Sequence, residues 1–219
     1  MVEVSSSLLN VKEDQIVQKI YDLEVAGTNY FHIDVMDGKF VQNETIEKMR
    51  KYTEYIKQIS TIPIEVHLMV NDTKSYIDTY IGMEVNNIII HLESCKNETQ
   101  VLELISYIKQ NNVKAGISIR PNTDIEKVYE YLPYIHNVLV MTVEPGKGGQ
   151  ELLLDTIEKI RKLNTFIYEN GYDIDIEVDG GINDKTAKQV TNAGANILVA
   201  GSYIINSDNY KEAISKLKK

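Results

Sequence analysis

Short runs of apolar and β-branched residues alternate along the chain with longer amphipathic stretches rich in lysine and glutamate. This alternation is typical of repeated strand–helix units around a parallel sheet. About eight units can be counted, and a helical pattern follows each predicted strand. The predicted strands cover residues 2–7, 30–35, 62–69, 86–91, 114–119, 137–142, 173–179 and 196–200.

The strand–helix rhythm continues from one end of the 219 residues to the other, without a linker rich in proline, glycine or serine. We therefore expect one α/β domain over residues 1–219, closed as a (β/α)8 TIM barrel. A doubly wound open sheet is the main alternative. Against it, no G-x-G-x-x-G follows the first strand, and eight units are more naturally closed than left open. Four glycines follow helical patterns and are expected to end those helices in a left-handed conformation: Gly27, Gly82, Gly171 and Gly194.

Polar residues alternate with apolar ones on three predicted strands, so that His32, Asp34, His67 and Asp179 share the face opposite the apolar set. If the apolar face packs against helices, these four side chains converge at the carboxyl-terminal mouth of the barrel. Two imidazoles and two carboxylates suit one divalent ion such as Zn, Fe(II), Mn or Co. Bound carboxylates on either side of a planar intermediate could also transfer a proton from one face to the other.

A single histidine on a strand is more often hydrogen-bonded packing than a metal ligand. The four residues together favour a metal, since burying several ionisable groups without one costs several kcal/mol per ion. Glu65 and Glu177 lie deeper by the same alternation and are expected to fill barrel layers or to orient the ligands. His91, at the end of the fourth strand, is interpreted as packing or as a similar support.

Glycine-rich segments end the sixth, seventh and eighth strands, at residues 144–150, 179–181 and 200–202. Glycines allow a close approach of the backbone to an anion, and barrels of this kind hold phosphate after their later strands. Three such segments predict a phosphorylated small molecule as ligand. Met36, Met69 and Met141 fall near strand ends and are expected either to fill the core or to line this site with apolar surface.

The net charge of -9 and the pI near 5.0 argue against binding to nucleic acid or to anionic membranes. Cys95 is the one cysteine, so no internal disulfide can form. Neither a secretory leader nor a membrane-spanning stretch is evident. These observations predict a cytoplasmic protein.

The chain resembles the ribulose-phosphate 3-epimerase family over nearly its whole length. The matching segments lie in the family's order at residues 7–9, 32–38, 65–70, 141–146, 148–150, 177–181 and 200–202. The resemblance implies a barrel of the ribulose-phosphate binding type, an isomerase of the pentose phosphate pathway, and association into homo-oligomers. It implies one divalent metal held by His32, Asp34, His67 and Asp179.

The same resemblance implies that Asp34 removes the C3 proton of D-ribulose 5-phosphate. A cis-enediolate would follow, and Asp179 would reprotonate its opposite face to give D-xylulose 5-phosphate. The three methionines would cap the intermediate. The implied substrate-binding residues are Ser7, His67, Gly146, Lys147, Gly148, Gly149, Gly180, Gly181, Gly201 and Ser202.

Three positions depart from the family pattern: Lys147 replaces a usual aromatic, Gln42 a usual proline, and Tyr203 a usual small residue. None is an implied metal ligand or acid/base group, so they bear on the choice of sugar rather than on the chemistry. A 3-epimerase for D-allulose 6-phosphate is the nearest alternative. A barrel that binds sugar phosphate without catalysis is the alternative from another class.

Overall fold

Eight parallel strands close into a barrel in chain order, with the last strand hydrogen-bonded to the first. The computed structural model describes residues 1–219. The strands are β1 Glu3–Ser7, β2 Tyr30–Met36, β3 Ile64–Met69, β4 Asn87–His91, β5 Lys114–Ile119, β6 Asn137–Met141, β7 Asp175–Asp179 and β8 Ile197–Ala200. The closed barrel confirms the predicted fold class, and each predicted strand agrees with its observed bounds to within two residues.

Helices cover the outside of the barrel. They are α1 Ile16–Ala26, α2 Ile46–Ile59, α3 Thr73–Gly82, α4 Glu98–Gln110, α5 Thr156–Asn170, α6 Ala187–Ala193, α7 Ser202–Ile205 and α8 Tyr210–Leu217. The unit after β5 differs from the others, because a 3-10 helix, Ile125–Tyr134, takes the place of an α-helix. Its Pro133 has no amide hydrogen to donate, which disfavours a regular α-helix there. None of the helices combines the length and apolar character needed to cross a bilayer.

Left-handed glycines end several helices, as the sequence predicts. Gly27 and Gly171 have φ of 89° and 67°, and Gly194 also has a positive φ. The prediction for Gly82 is wrong: it is the last residue of α3, and Glu84, two residues later, adopts the positive φ of 55°. The chain therefore reverses at a residue with a side chain rather than at the available glycine.

The two faces of each strand have different environments. Ile33 and Val35 on β2 belong to the apolar layer between the strands and the helices. His32 and Asp34 alternate with them and are buried inside the barrel. This alternation brings polar groups from strands far apart in sequence into one interior column, which opens at the carboxyl-terminal mouth.

Candidate active site and metal centre

Four side chains from three strands converge inside the mouth of the barrel. One donor atom from each of His32, Asp34, His67 and Asp179 lies within 4.8 Å of the others. Nε2 of His32 is 3.4 Å from Asp34 Oδ1 and 4.0 Å from Asp179 Oδ2. Nδ1 of His67 is 3.5 Å and 3.7 Å from the same two oxygens. Two histidine nitrogens and two carboxylate oxygens thus surround one small volume.

Strand register produces this convergence. Asp34 pairs directly with His67 across β2 and β3, and Asp179 pairs with Met141 across β6 and β7. His32 lies two residues before Asp34, so its side chain points to the same side of the sheet. The predicted clustering of the two imidazoles and two carboxylates is therefore a direct result of the barrel geometry.

The donor set fits a divalent metal ion. Nε2 of His32 and Nδ1 of His67 are fully buried and have no hydrogen-bond partner, which is costly for a polar atom unless something else binds it. Donors about 2.0–2.2 Å from a tetrahedral ion lie about 3.4 Å from one another. The four nitrogen–oxygen distances, from 3.4 to 4.0 Å, are close to that spacing.

The two carboxylates differ in their electrostatic surroundings. Burial alone would raise the pKa of Asp34, but the adjacent His32 and His67 hold it far below its usual range. Burial and the nearby Asp34 carboxylate raise the pKa of Asp179 to about 7. One carboxylate is thus ionised while the other holds a proton readily, an arrangement that suits an acid/base pair. A bound cation would favour the ionised form of both.

Deeper in the barrel, Glu65 fixes the orientation of the His32 ring. Its Oε1 lies 2.8 Å from His32 Nδ1, which leaves Nε2 facing the site. Ser5 also donates a hydrogen bond to this carboxylate. Burial and the neighbouring Glu65 raise the pKa of Glu177 well above its usual value, and Asn137 donates to Glu177 Oε2 at 2.6 Å. Both glutamates lie behind the four-residue cluster, at the depth that the alternation of β3 and β7 predicts.

His91 makes direct contact with the cluster. Its Nε2 lies 2.9 Å from His67 Nε2, and both rings are fully buried. Burial lowers the pKa of His91, and burial together with the neighbouring imidazoles lowers that of His67 to about 4. Both rings are therefore neutral near pH 7. The sequence identified His91 as packing or as a support, and the structure gives it a specific partner.

Ser7 and the three methionines complete the inner wall of the cavity. The Ser7 hydroxyl donates to Asp34 Oδ2 at 2.7 Å. Met36, Met69 and Met141 are 1–2% exposed, and all three line the cavity that Asp34 and Asp179 also line. Their thioethers give that side of the cavity an apolar surface.

The glycine-rich segments after β6, β7 and β8 form another wall of the same cavity. The predicted substrate-binding residues found there are Gly146, Lys147, Gly148, Gly149, Gly180, Gly181, Gly201 and Ser202. A Cβ on Gly181, whose φ is 67°, would lie 2.4 Å from the backbone nitrogen of Leu152, so only glycine fits. A Cβ on Gly201 would lie 3.3 Å from that of Ser7. Backbone therefore forms much of this wall, as an anion-binding surface requires.

Loops after β2, β5 and β6 meet beside the mouth. Asn43 Nδ2 donates to the Gly146 carbonyl at 2.6 Å, and the Arg120 guanidinium donates to the Phe40 carbonyl at 3.0 Å. Asn10 also lines the cavity, with its amide against Gly148. The sequence analysis missed Asn10, although it directly follows the matching segment at residues 7–9.

By fold and by the composition of its mouth, this is a (β/α)8 barrel whose buried His/Asp cluster is of the kind that binds divalent metals. The profile of the Ribulose-phosphate 3 epimerase family matches residues 3–205. The chain belongs to this family.

Individual relatives agree with the family match. The ribulose-phosphate 3-epimerase of Bacillus subtilis is 36% identical over 219 residues, covering 100% of this chain and 99% of the relative. That of Methanocaldococcus jannaschii is 37% identical over 218 residues, covering 100% and 90%. Among solved structures, KGPDC from Streptococcus mutans has a TM-score of 0.73 at 10% identity, covering 99% of this chain and 95% of its own. A 3-hexulose-6-phosphate synthase has a TM-score of 0.72 at 12% identity, covering 99% and 98%. At these identities the two structures show a shared fold and nothing more.

Proposed function

We propose that the protein is an isomerase that epimerises a ketose phosphate at C3, interconverting D-ribulose 5-phosphate and D-xylulose 5-phosphate. The observation that carries the proposal is the convergence of Asp34 and Asp179 on the same pair of histidine nitrogens, although they lie on β2 and β7. Epimerisation removes a proton from one face of a carbon and returns one to the other face. Two carboxylates facing one cavity provide the acid and the base for this exchange.

In the forward direction, the Asp34 carboxylate takes the C3 proton, and the substrate passes through a planar intermediate. Asp179 then gives a proton to C3 from the opposite face, and the two roles are exchanged in the reverse reaction. His32, Asp34, His67 and Asp179 would hold one divalent ion, which when bound supplies positive charge near the substrate oxygens. Ser7 orients Asp34 through its hydrogen bond. The three methionines cover the intermediate and keep water from it.

The phosphate end of the substrate would lie against the glycine-rich wall. Backbone amides there can approach an anion closely, since several positions are glycines, which have no side chain. Lys147 is exposed at the edge of this wall and adds a cation that can reach a phosphate. This local attraction is needed because the whole chain has a net charge of -9.

Metal analysis of the purified protein, combined with parallel assays on D-ribulose 5-phosphate and D-allulose 6-phosphate, tests the proposal. We expect about one divalent ion per chain, a preference for the five-carbon sugar, and loss of activity after chelation that Zn, Fe(II), Mn or Co restores. A clear preference for the six-carbon sugar would overturn the substrate. Unchanged activity after every metal is removed would overturn the metal, and no turnover of either sugar by metal-loaded protein would favour a binding protein.

The single domain over residues 1–219, the cytoplasmic location and the self-association also stay predictions. Light scattering on the purified protein measures the assembly directly. We expect a mass of at least twice the 24.9 kDa of one chain, and a mass equal to that of one chain would contradict it.

A further inference from the structure

A line of polar side chains leads from the proposed metal site, past the end of β4, to the partly exposed Glu93. Nε2 of His67 lies 2.9 Å from Nε2 of His91, and Nδ1 of His91 lies 3.0 Å from Oε2 of Glu93. The ring planes of His67 and His91 differ by 27° and their centroids are 4.9 Å apart. Since the nitrogens are much closer than the centroids, the rings face each other edge to edge, as a hydrogen bond between them requires.

Each link of this line can hold one proton, so the hydrogen bonds can run in either of two directions. In one direction, His67 donates to His91 and His91 donates to Glu93, which leaves a lone pair on His67 Nδ1. In the other direction, a donor group at position 93 donates to His91 and His91 donates to His67. The proton of His67 then lies on Nδ1. Only the first direction allows Nδ1 to bind a cation.

The surroundings of Glu93 select the first direction. Its Oε1 accepts hydrogen bonds from the backbone amide of Arg120, at 2.7 Å, and from the Thr123 hydroxyl. Burial alone would raise the pKa of Glu93, but its hydrogen bonds with His91, Thr123 and the Arg120 amide lower it to about 2. An ionised carboxylate can only accept, so the hydrogen between Glu93 and His91 belongs to His91 Nδ1.

The rest of the line agrees with this direction. Nδ1 of His67 has no hydrogen-bond partner, as expected for a lone pair that awaits a cation. The Phe40 ring lies over His91 with centroids 4.8 Å apart, and the Arg120 guanidinium covers Phe40 from 4.3 Å. Both imidazole rings are fully buried, so their ring nitrogens are shielded from bulk solvent.

We propose that His91 and Glu93 are positioning residues, which hold His67 in the tautomer with its proton on Nε2 and its lone pair on Nδ1, facing the cluster. The proposal rests on the metal site described under Proposed function. It gives the loop after β4 a role at a site that none of its residues enters. It also explains why a third histidine is buried beside the two proposed ligands.

Glu93→Gln is the informative variant because the carboxamide should reverse the direction of both hydrogen bonds. The Arg120 amide still requires an acceptor, so the new carbonyl oxygen takes the place of Oε1. The NH2 group then faces His91 Nδ1 and donates to it. His91 in turn donates to His67 Nε2, and the proton of His67 moves to Nδ1, where it blocks the cation.

Nitrogen-15 NMR of the metal-free protein reads the tautomers directly, and the chain has only four histidines to assign. In the wild type we expect His67 and His91 to carry their protons on Nε2 and Nδ1, respectively. In Glu93→Gln both protons should move to the other nitrogen. A wild-type His67 with its proton on Nδ1 would overturn the proposal, whether or not the variant folds.

Zn²⁺ affinity, measured by competition with a chromogenic chelator, gives the second readout. Glu93→Gln should weaken Zn²⁺ binding about 10- to 100-fold. Glu103→Gln, the same change at an exposed position of α4, should bind like the wild type. Equal Zn²⁺ affinity in Glu93→Gln and the wild type would overturn the positioning role of His91 and Glu93. If the wild type binds no divalent ion, the proposed metal site is wrong. The tautomers of the metal-free protein still show whether Glu93 and His91 set the tautomer of His67.

Discussion

The Ser7 hydroxyl donates a 2.7 Å hydrogen bond to Oδ2 of Asp34, so the two oxygens of this carboxylate have different neighbours. Oδ1, the other oxygen, lies 3.4 Å from His32 and 3.5 Å from His67. One oxygen thus faces the proposed metal ligands while the second is oriented by β1. The hydrogen bond at Oδ2 fixes the direction of the carboxylate, as a base that attacks one face of a carbon requires.

Replacing either carboxylate should abolish epimerisation. We expect Asp34→Asn and Asp179→Asn to lower turnover of D-ribulose 5-phosphate about 10²- to 10⁴-fold, since an amide cannot accept the proton. Asp208→Asn, at an exposed position before α8, is the matched control and should keep wild-type activity. Normal epimerisation by both site variants would rule out the proposed acid/base pair.

The two variants should also differ from each other in deuterated water. Asp179→Asn keeps the base for D-ribulose 5-phosphate, so it should exchange the C3 hydrogen for deuterium without forming D-xylulose 5-phosphate. Asp34→Asn should do the same from the D-xylulose 5-phosphate side. Proton NMR of the recovered sugars measures both exchanges, and the opposite pairing would reverse the assignment of the two carboxylates.

Two glycines with the same φ of 67° separate backbone strain from steric clash. A Cβ on Gly171, at the end of α5, meets nothing within 4 Å, whereas one on Gly181 meets the Leu152 backbone nitrogen at 2.4 Å. Gly171→Ala should therefore lose about 1–2 kcal/mol of unfolding free energy from strain alone. Gly181→Ala should lose more and should raise the KM for the sugar phosphate. Urea unfolding and steady-state kinetics measure these effects, and equal losses with unchanged KM would contradict the tight fit of the glycine-rich wall.

Ionised Glu93 should contribute stability with a defined pH dependence. Its pKa falls from the ordinary value of 4.5 to about 2 on folding, so the folded state binds fewer protons than the unfolded chain between these values. The contribution is thus present above about pH 4.5 and is lost as the pH falls towards 2. Urea midpoints of wild type and Glu93→Gln, compared at about pH 6 and about pH 3, should move closer together at the lower pH. A difference that stays constant would show that Glu93 is not ionised as described.

Binding of a divalent ion should stabilise the folded chain. The unfolded chain has no assembled site, so Zn²⁺ at about 100 times its Kd adds about 2.7 kcal/mol to the unfolding free energy. Thermal unfolding with and without Zn²⁺ measures this, with His67→Ala as the variant that lacks one ligand. An equal rise in Tm for both proteins would show that the ion binds elsewhere.

The sequence predicted the parts of the site that follow from strand alternation. The alternation of polar and apolar residues alone predicted the positions of His32, Asp34, His67 and Asp179 on β2, β3 and β7. The closed barrel brings the four residues together. The alternation is informative there because a side chain on a buried strand can point in only two directions.

Residues on loops could not be found in the same way. Asn10 reaches the cavity because the chain turns after β1, and Glu93 meets Arg120 and Thr123 because the loops after β4 and β5 are neighbours. No local pattern specifies such meetings, since they depend on tertiary packing. For the same reason, the reversal at Glu84 rather than Gly82 was not predicted.

Closure of the barrel between β1 and β8 has a consequence for biosynthesis. Ser6 pairs with Ala200, and Ser7 lies against Gly201, so β1, which is synthesised before the other seven strands, meets at this pocket the segment that ends β8. A nascent chain that still lacks β8 also lacks Val199, Ala200, Gly201 and Ser202 from the lining of that pocket. We therefore expect a sugar phosphate to bind the completed barrel and not the unfinished chain.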